Sequence, residues 1–347
     1  MNLFLPVYKR LEEDVLRLAD NIFFDDKQLN TYSLTIGDLL IRCVIEIEAI
    51  SKELYLSLGG VEHPRDSNGK LRDLYFDTDC IKLFVDAWGI DKKKVQITNP
   101  NMYFSPEKSI LIPLHKSHKR GTSSSRWQQA YQAFKHYRTR SIQKATIENL
   151  LNALGALYIL NLYYADENFW AETVIKGRRE YTIDSKIFTP FVADATHFHM
   201  SPYMGDTEMD EIRNPSLEES VFILKNTEES FRAIQKVFCK YYTNIVIKVK
   251  MTDDYKKLIR EHPDYTQLSI DMLCQKMRIN YMLCINQEIR SLGSPFNRLK
   301  EKEVVLNKNE GIYPALTYSD FLDSDEGQKY MVDTEASLTG KKIILPK

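Results

Sequence analysis

Residues 150–164, Leu-Leu-Asn-Ala-Leu-Gly-Ala-Leu-Tyr-Ile-Leu-Asn-Leu-Tyr-Tyr, form the most apolar run in this 347-residue chain. The run is too short, and too interrupted by Asn152, Gly155 and Asn161, to span a bilayer, so no membrane association is expected. A helix that is apolar on nearly every side has to be surrounded by other elements. The spacing therefore predicts a helix over Ser141–Tyr164 as the central, buried member of a helical bundle.

The elements that would surround it are legible upstream. Leu11, Val15, Leu18 and Ile22 recur at intervals of three and four and predict a helix over Tyr8–Phe24. Ser33 is a candidate cap for a second helix running to Leu58, with Leu40, Val44, Ile47, Ile50 and Leu54 inward and Gly59-Gly60 as its stop. A short helix over Thr78–Trp88 ends at Gly89. A further helix is predicted over Ser125–Arg138, separate from the central one or bent into it. Beyond Asp166 the pattern changes. Short strands are expected at Glu180–Asp184, Lys186–Val192, Asn244–Met251, Glu303–Leu306 and Lys342–Leu345, with helices at Thr227–Tyr242 and Gln267–Arg290. The fold class expected is α+β, mainly α: a helical bundle at 1–165 followed by a smaller mixed α+β domain at 166–347.

Charge points to a site. The chain as a whole is balanced, with 47 basic and 48 acidic residues, which excludes a protein that coats nucleic acid indiscriminately. Between Glu107 and Glu148, however, there is no acid, where the average density predicts about 5.5. The same interval holds Lys108, Lys116, Lys119, Arg120, Arg126, Lys135, Arg138, Arg140 and Lys144, together with His115, His118 and His136. A local positive field with a His and an Arg on one helical segment suits a phosphate backbone.

On a helix, Trp127, Ala130, Tyr131, Phe134 and Arg138 share one stripe, and His136 lies nearly opposite Trp127. Arg138 then either follows the core stripe, where it needs an acidic partner, or the helix ends before it. Glu46 and Glu48 on the second helix are the expected partners. His136 faces outward, where it can act as an acid or base near neutral pH. A plain solvated basic helix is the competing reading of the same residues.

Thr31-Tyr-Ser33, the run Leu39–Lys52, and Trp127…Ala-Tyr-Gln…Lys135-His136-x-Arg138…Ala145-Thr146…Asn149…Ala153-Leu…Ala156-Leu157 resemble HEPN-type helical bundles of prokaryotes over residues 1–165. The resemblance implies a dimeric bundle acting as a metal-independent ribonuclease, without cofactor, in a stress or anti-phage defence system. The family's usual signature is Arg, four to six residues, then His. Here the order is Lys135-His136-x-Arg138, and Gln132 stands where the related pattern has Asn. Carried onto this chain, the catalytic candidates are His136 for proton transfer and Lys135 and Arg138 for the scissile phosphate. Arg126, Arg140, Lys144, Lys116, Lys119 and Arg120 are candidates for RNA contact. The partners implied are RNA and a second copy. The alternative is a catalytically silent module that binds a partner protein or nucleic acid.

Other features are weaker. Asp194, His197 and His199 can be written as a metal site, although a hydrogen-bonded pair explains the histidines equally well. The acidic clusters at 206–211 and 320–326 read as solvated faces, or as a cover for the basic patch. Cys43, Cys80, Cys239, Cys274 and Cys284 lack paired spacing and read as reduced core thiols, hence a cytosolic protein.

Overall fold

In the computed structural model, residues 3–165, 185–194, 216–294, 302–305, 316–340 and 345–346 are described. They are mainly helical, with three small sheets, as the α+β, mainly α class requires. Among them no helix is long and apolar enough to cross a membrane. The chain divides into two compact units, one of residues 1–225 with 303–312, the other of residues 226–302 with 313–347. The expected boundary near 165 thus moves to Lys225–Asn226, because the strands after 185 join the first unit.

The first unit is built on α1 (Phe4–Ala19), α2 (Leu34–Ser57) and α7 (Ile147–Tyr164). Helix α2 starts where Ser33 Oγ accepts from the Ile36 amide at 3.1 Å, and α7 starts where Thr146 Oγ1 accepts from the Asn149 amide at 3.3 Å. Both caps satisfy an amide that has no partner within its own helix. From Leu150 to Leu162, every residue of α7 but Asn152 is buried, which makes it the central helix that its composition demanded. Asn161, fully buried, donates to the Leu157 carbonyl at 2.9 Å instead of leaving its amide N–H groups unbonded.

Between these helices lie a turn of π-helix (Phe76–Cys80), α3 (Ile81–Trp88), and strands β1 (Phe24–Asp25), β2 (Val95–Ile97) and β3 (Met102–Tyr103). They are followed by α4 (Pro106–Ser109), β4 (Ile110–Leu111), α5 (Arg126–His136) and α6 (Arg138–Ser141). Strands β5 (Phe188–Pro190), β6 (Val192–Asp194) and β7 (Phe222–Asn226) come next in the chain. β1 and β3 pair in parallel, β2 lies antiparallel between β4 and β5, and β7 lies between β6 and β8 (Lys302–Val305).

β5 is anchored twice. It pairs with β2 at Val95–Pro190 and Ile97–Phe188, and Phe188 packs on Tyr158 of α7 with ring centres 5.8 Å apart. The buried carboxylate of Glu12 on α1 accepts from Tyr8 Oη at 2.8 Å, Ser185 Oγ at 2.5 Å and the Ile187 amide at 3.2 Å. A buried acid with three donors is a satisfied one, and here it fastens the returning chain to the bundle.

The second unit consists, in its described part, of α8 (Glu228–Met251), α9 (Asp253–Glu261), α10 (Ile270–Lys276), α11 (Tyr281–Leu292), α12 (Tyr318–Asp323) and α13 (Asp325–Leu338). Residues 244–251, expected as a strand, are instead the last turns of α8. Ile245, Ile247 and Val249 are all buried, so the alternation reflects burial on more than one helix face. Packing overrides the β preference of these residues. The expected helix over Gln267–Arg290 is two helices. Arg278 takes φ +57°, and Asn280 restarts the chain by accepting from the Leu283 amide at 3.2 Å. Strand β8 agrees with the reading of Glu303–Leu306, while the strands expected at 180–184 and 342–345 fall mostly outside the described residues. All five cysteines are buried and free.

Candidate nucleic-acid interface

Helix α5 carries the basic stretch, and its two ends are built differently. At the N-terminal end, Gln128 Oε1 accepts from the Ser125 amide at 3.2 Å and from Ser125 Oγ at 2.6 Å. Gln128 Nε2 donates to the Ser117 carbonyl at 3.1 Å, and Trp127 Nε1 donates to the Pro113 carbonyl at 2.8 Å. Gln129 Nε2 donates to the carbonyls of Thr122 and Ser124. These bonds strap the loop of residues 113–125 onto the helix. Lys116, at φ +61°, turns the loop so that His115, Lys116 and Lys119 meet Arg126 around a pocket of about 540 Å³. Asn149 and Asn152 of α7 line its other side.

Arg120 is held differently. Its Nε and Nη2 donate to Asp77 at 2.7 and 3.0 Å, Nη2 also reaches Thr78 Oγ1, and the guanidinium lies 4.6 Å from the Tyr75 ring centre. Arg72 packs against the same ring at 4.8 Å and forms a two-pronged pair with Asp79 at 2.6 and 2.8 Å. Arg120 is therefore a brace between the loop and the π-helical turn, and its donors are committed.

At the C-terminal end α5 stops at His136. Tyr137, at φ −139° and ψ 58°, breaks the helix, and Arg138 begins α6. The break takes Arg138 off the core stripe. It pairs with Asp38 on α2 at 3.7 Å and packs on the Phe134 ring at 5.0 Å. The expected partners, Glu46 and Glu48, do not fill that role: Glu46 lines a groove between α1 and α2 with Arg10 and Arg42, and Glu48 sits near Lys135. Lys135 packs on the Tyr131 ring at 5.3 Å, and that phenol raises its pKa. His136 is exposed, and its ring bonds no described residue. Arg140 and Lys144 are exposed and have no acidic partner among the described residues.

The structure thus keeps Lys135, His136, Arg138 and Arg140 on the segment that ends α5 and opens α6. It places Lys116, Lys119 and Arg126 at the far end of α5, about 15 Å away at ~1.5 Å per residue. Neutralisation is partial. Arg126 reaches Glu148 at 3.5 Å while remaining largely exposed, whereas Lys116, Lys119, Arg140 and Lys144 form no ion pair with a described residue. Sequence reasoning missed Asp38 and Asp77, each 43 or more positions from its basic partner, with no periodicity linking them. Of the suggested metal ligands, His197 and His199 lie outside the described residues, and Asp194 ends β6. Among the described residues no group of three metal-capable side chains occurs. Of the acidic clusters, 206–211 lies outside the described residues. In the other, Glu326 takes Lys236 and Lys240 at 2.7 and 2.9 Å, and Asp320 accepts from the Thr317 amide. No protein family, curated protein or solved structure was found to match this chain.

Proposed function

We propose that this chain is an RNA-directed protein that holds the phosphodiester backbone along α5, with one group of cations at each end of the helix. The observation that carries this reading is the set of charges without an acidic partner among the described residues, Lys116 and Lys119 beside the N-terminal end of α5, Arg140 in α6 past its C-terminal end and Lys144 just before α7, on an acid-free stretch of a neutral chain. Two cationic clusters about 15 Å apart suit an extended single strand that runs over both. Such binding is salt-dependent, with a slope of about −0.7 per phosphate contact for single strands. Anisotropy titrations with an unstructured RNA across a range of salt test it. The Arg140→Ala/Lys144→Ala double variant should bind several-fold more weakly, with a log–log salt slope shallower by about 1.4. An unchanged slope, or no binding at low salt, would remove the proposal.

A second reading is favoured by one feature: Lys135, His136 and Arg138 flank the break between α5 and α6. There His136 would move a proton at the ribose 2′-hydroxyl or the leaving 5′-oxygen, while Lys135 and Arg138 stabilise the phosphate's developing charge. That is metal-independent RNA cleavage, the activity of a ribonuclease effector in a defence system. A homodimer would bring two such segments into one field. The imidazole has no orienting partner within the described residues, so cleavage would rely on the RNA or a second copy to orient the ring. Cleavage of total RNA in EDTA, lost in both His136→Ala and Arg138→Ala, is the expected result. Intact RNA with a well-folded protein would leave the binding role alone.

A further inference from the structure

A second pocket, of about 350 Å³, shares Lys119, Ser124 and Trp127 with the first. It is at the small end of ligand pockets, which run roughly 300–1,000 Å³. Its walls are aromatic, from Tyr75, Phe76, Trp127 and Tyr131, and Glu48 of α2 lines it together with Gln132. Glu48 is half-buried, yet its carboxylate makes no hydrogen bond with any described residue. A partly desolvated acid without donors is unusual, since such groups ordinarily find partners. Burial raises the Glu48 pKa, against the pull of Lys135 and Lys52 and with a further push from Asp77. The Gln132 amide is likewise unbonded and exposed.

The surroundings narrow what would supply those donors. Lys119 and the Arg120–Asp77 pair line the same pocket, and Lys52 and Lys135 stand near Glu48. With Arg120 neutralised by Asp77, the three lysines outnumber Glu48, so a further cation is disfavoured. A neutral group rich in N–H donors and attached to a phosphate would be drawn in. Among nucleobases only guanine presents two adjacent donors, N1–H and the N2 amine, on its Watson–Crick edge, matching the two oxygens of a carboxylate. Adenine and cytosine set a donor beside a ring-nitrogen acceptor, and uracil sets its one N–H between two carbonyls. Each would face Glu48 with a repulsive lone pair. Unstacked bases inserted beside aromatic side chains and read on that edge are the usual means of sequence-specific RNA recognition.

We infer that the pocket lined by Glu48, Gln132, Tyr75 and Tyr131 binds a guanine base, with Lys119 and Lys135 holding the adjoining phosphate. This rests on the RNA reading for its biological setting, but the pocket recognises the same chemistry in free guanosine 5′-monophosphate.

The experiment compares wild type with Glu48→Gln. Probes are a uridine-tract RNA, the same RNA with one central guanosine or inosine, and free guanosine and adenosine 5′-monophosphates. Thermal melting verifies that the variant is folded. The guanosine RNA should bind wild type about tenfold or more tightly than the uridine tract, as expected for a two-pronged base contact. Inosine, which lacks the N2 amine, should lose most of that gain. Glu48→Gln should abolish the preference without weakening uridine-tract binding, since it removes a negative charge near Lys135. Equal affinity for guanosine and uridine RNAs overturns the guanine site while the backbone reading stands. Glu48-dependent binding of the free monophosphate with no RNA binding does the reverse. A guanine preference that survives Glu48→Gln, or Glu48-dependent binding of spermidine in place of guanosine, also overturns it.

Discussion

At the residue scale, Trp127 holds more of the candidate interface than any charged side chain does. It is 1% exposed, its indole N–H ties the basic loop to α5 through Pro113, and it contributes to the walls of both pockets. Trp127→Ala should cost about 3–5 kcal/mol, measured by urea unfolding, and weaken RNA binding even though no cation is removed. A milder result would mean that the loop is held by Gln128 and Gln129 instead. Asp79 makes a pH-dependent contribution of known sign. Its two bonds from Arg72 and one from the Tyr75 amide hold its pKa below the ordinary 3.8. A depressed carboxylate contributes stability that is present above the unfolded value and lost as the pH falls through the folded value. Wild type should therefore lose stability below about pH 4 more steeply than Asp79→Asn. Parallel urea midpoints from pH 5 to pH 2 would contradict this.

Among elements, the seat of α5 on α2 depends on one glycine. A Cβ at Gly37 would lie 2.4 Å from the ring of the fully buried Phe134, so the two helices approach only because that atom is missing. Gly37→Ala should destabilise by about 1–3 kcal/mol despite the better helix propensity of alanine. Calorimetry checks this, and a gain in stability would show that the ring can move aside. The paired variant Gly37→Ala/Phe134→Leu should recover part of the loss. The position of α5 was legible from its aromatic stripe, but its end was not. Nothing in Lys-His-Tyr-Arg announces that Tyr137 leaves the helical region, and that break is what turns Arg138 from the core toward Asp38. Residues 244–251 mislead in the opposite way. Their alternation suits a strand, and only the packing around α8 shows Ile245, Ile247 and Val249 buried on different sides of one helix.

Among the described residues there are two main hydrophobic cores, beside a small cluster of Ala193 and Ile223. One is centred on α7; the other is formed by α8, α10 and α11 around Ile245, Val249, Leu273 and Cys284. The second contains a buried acid, Glu288, which accepts from Asn244 at 2.7 Å and from Lys248, while Tyr330 Oη donates to Asn244 at 3.1 Å. Removing one member of such a cluster leaves the others unpaired, so Glu288→Ala should cost about 3–5 kcal/mol. The loss should fall on one of two calorimetric transitions and leave RNA affinity intact, since the candidate interface lies wholly in the first unit. A single merged transition, or a loss of RNA binding, would show that the two cores are coupled. The sequence by itself determined the central helix, the Ser33 cap and the acid-free basic stretch. All three are written in contiguous residues, as hydrophobic period, a capping side chain and local charge. Tertiary structure alone decided that the chain divides at residue 225, since β5 returns to pair with β2 over some 90 positions. It alone separated the basic residues into two groups, paired Arg138 with Asp38 and left Glu48 without donors in an aromatic pocket. Those outcomes depend on which distant segments are packed side by side, and no spacing along the chain records that.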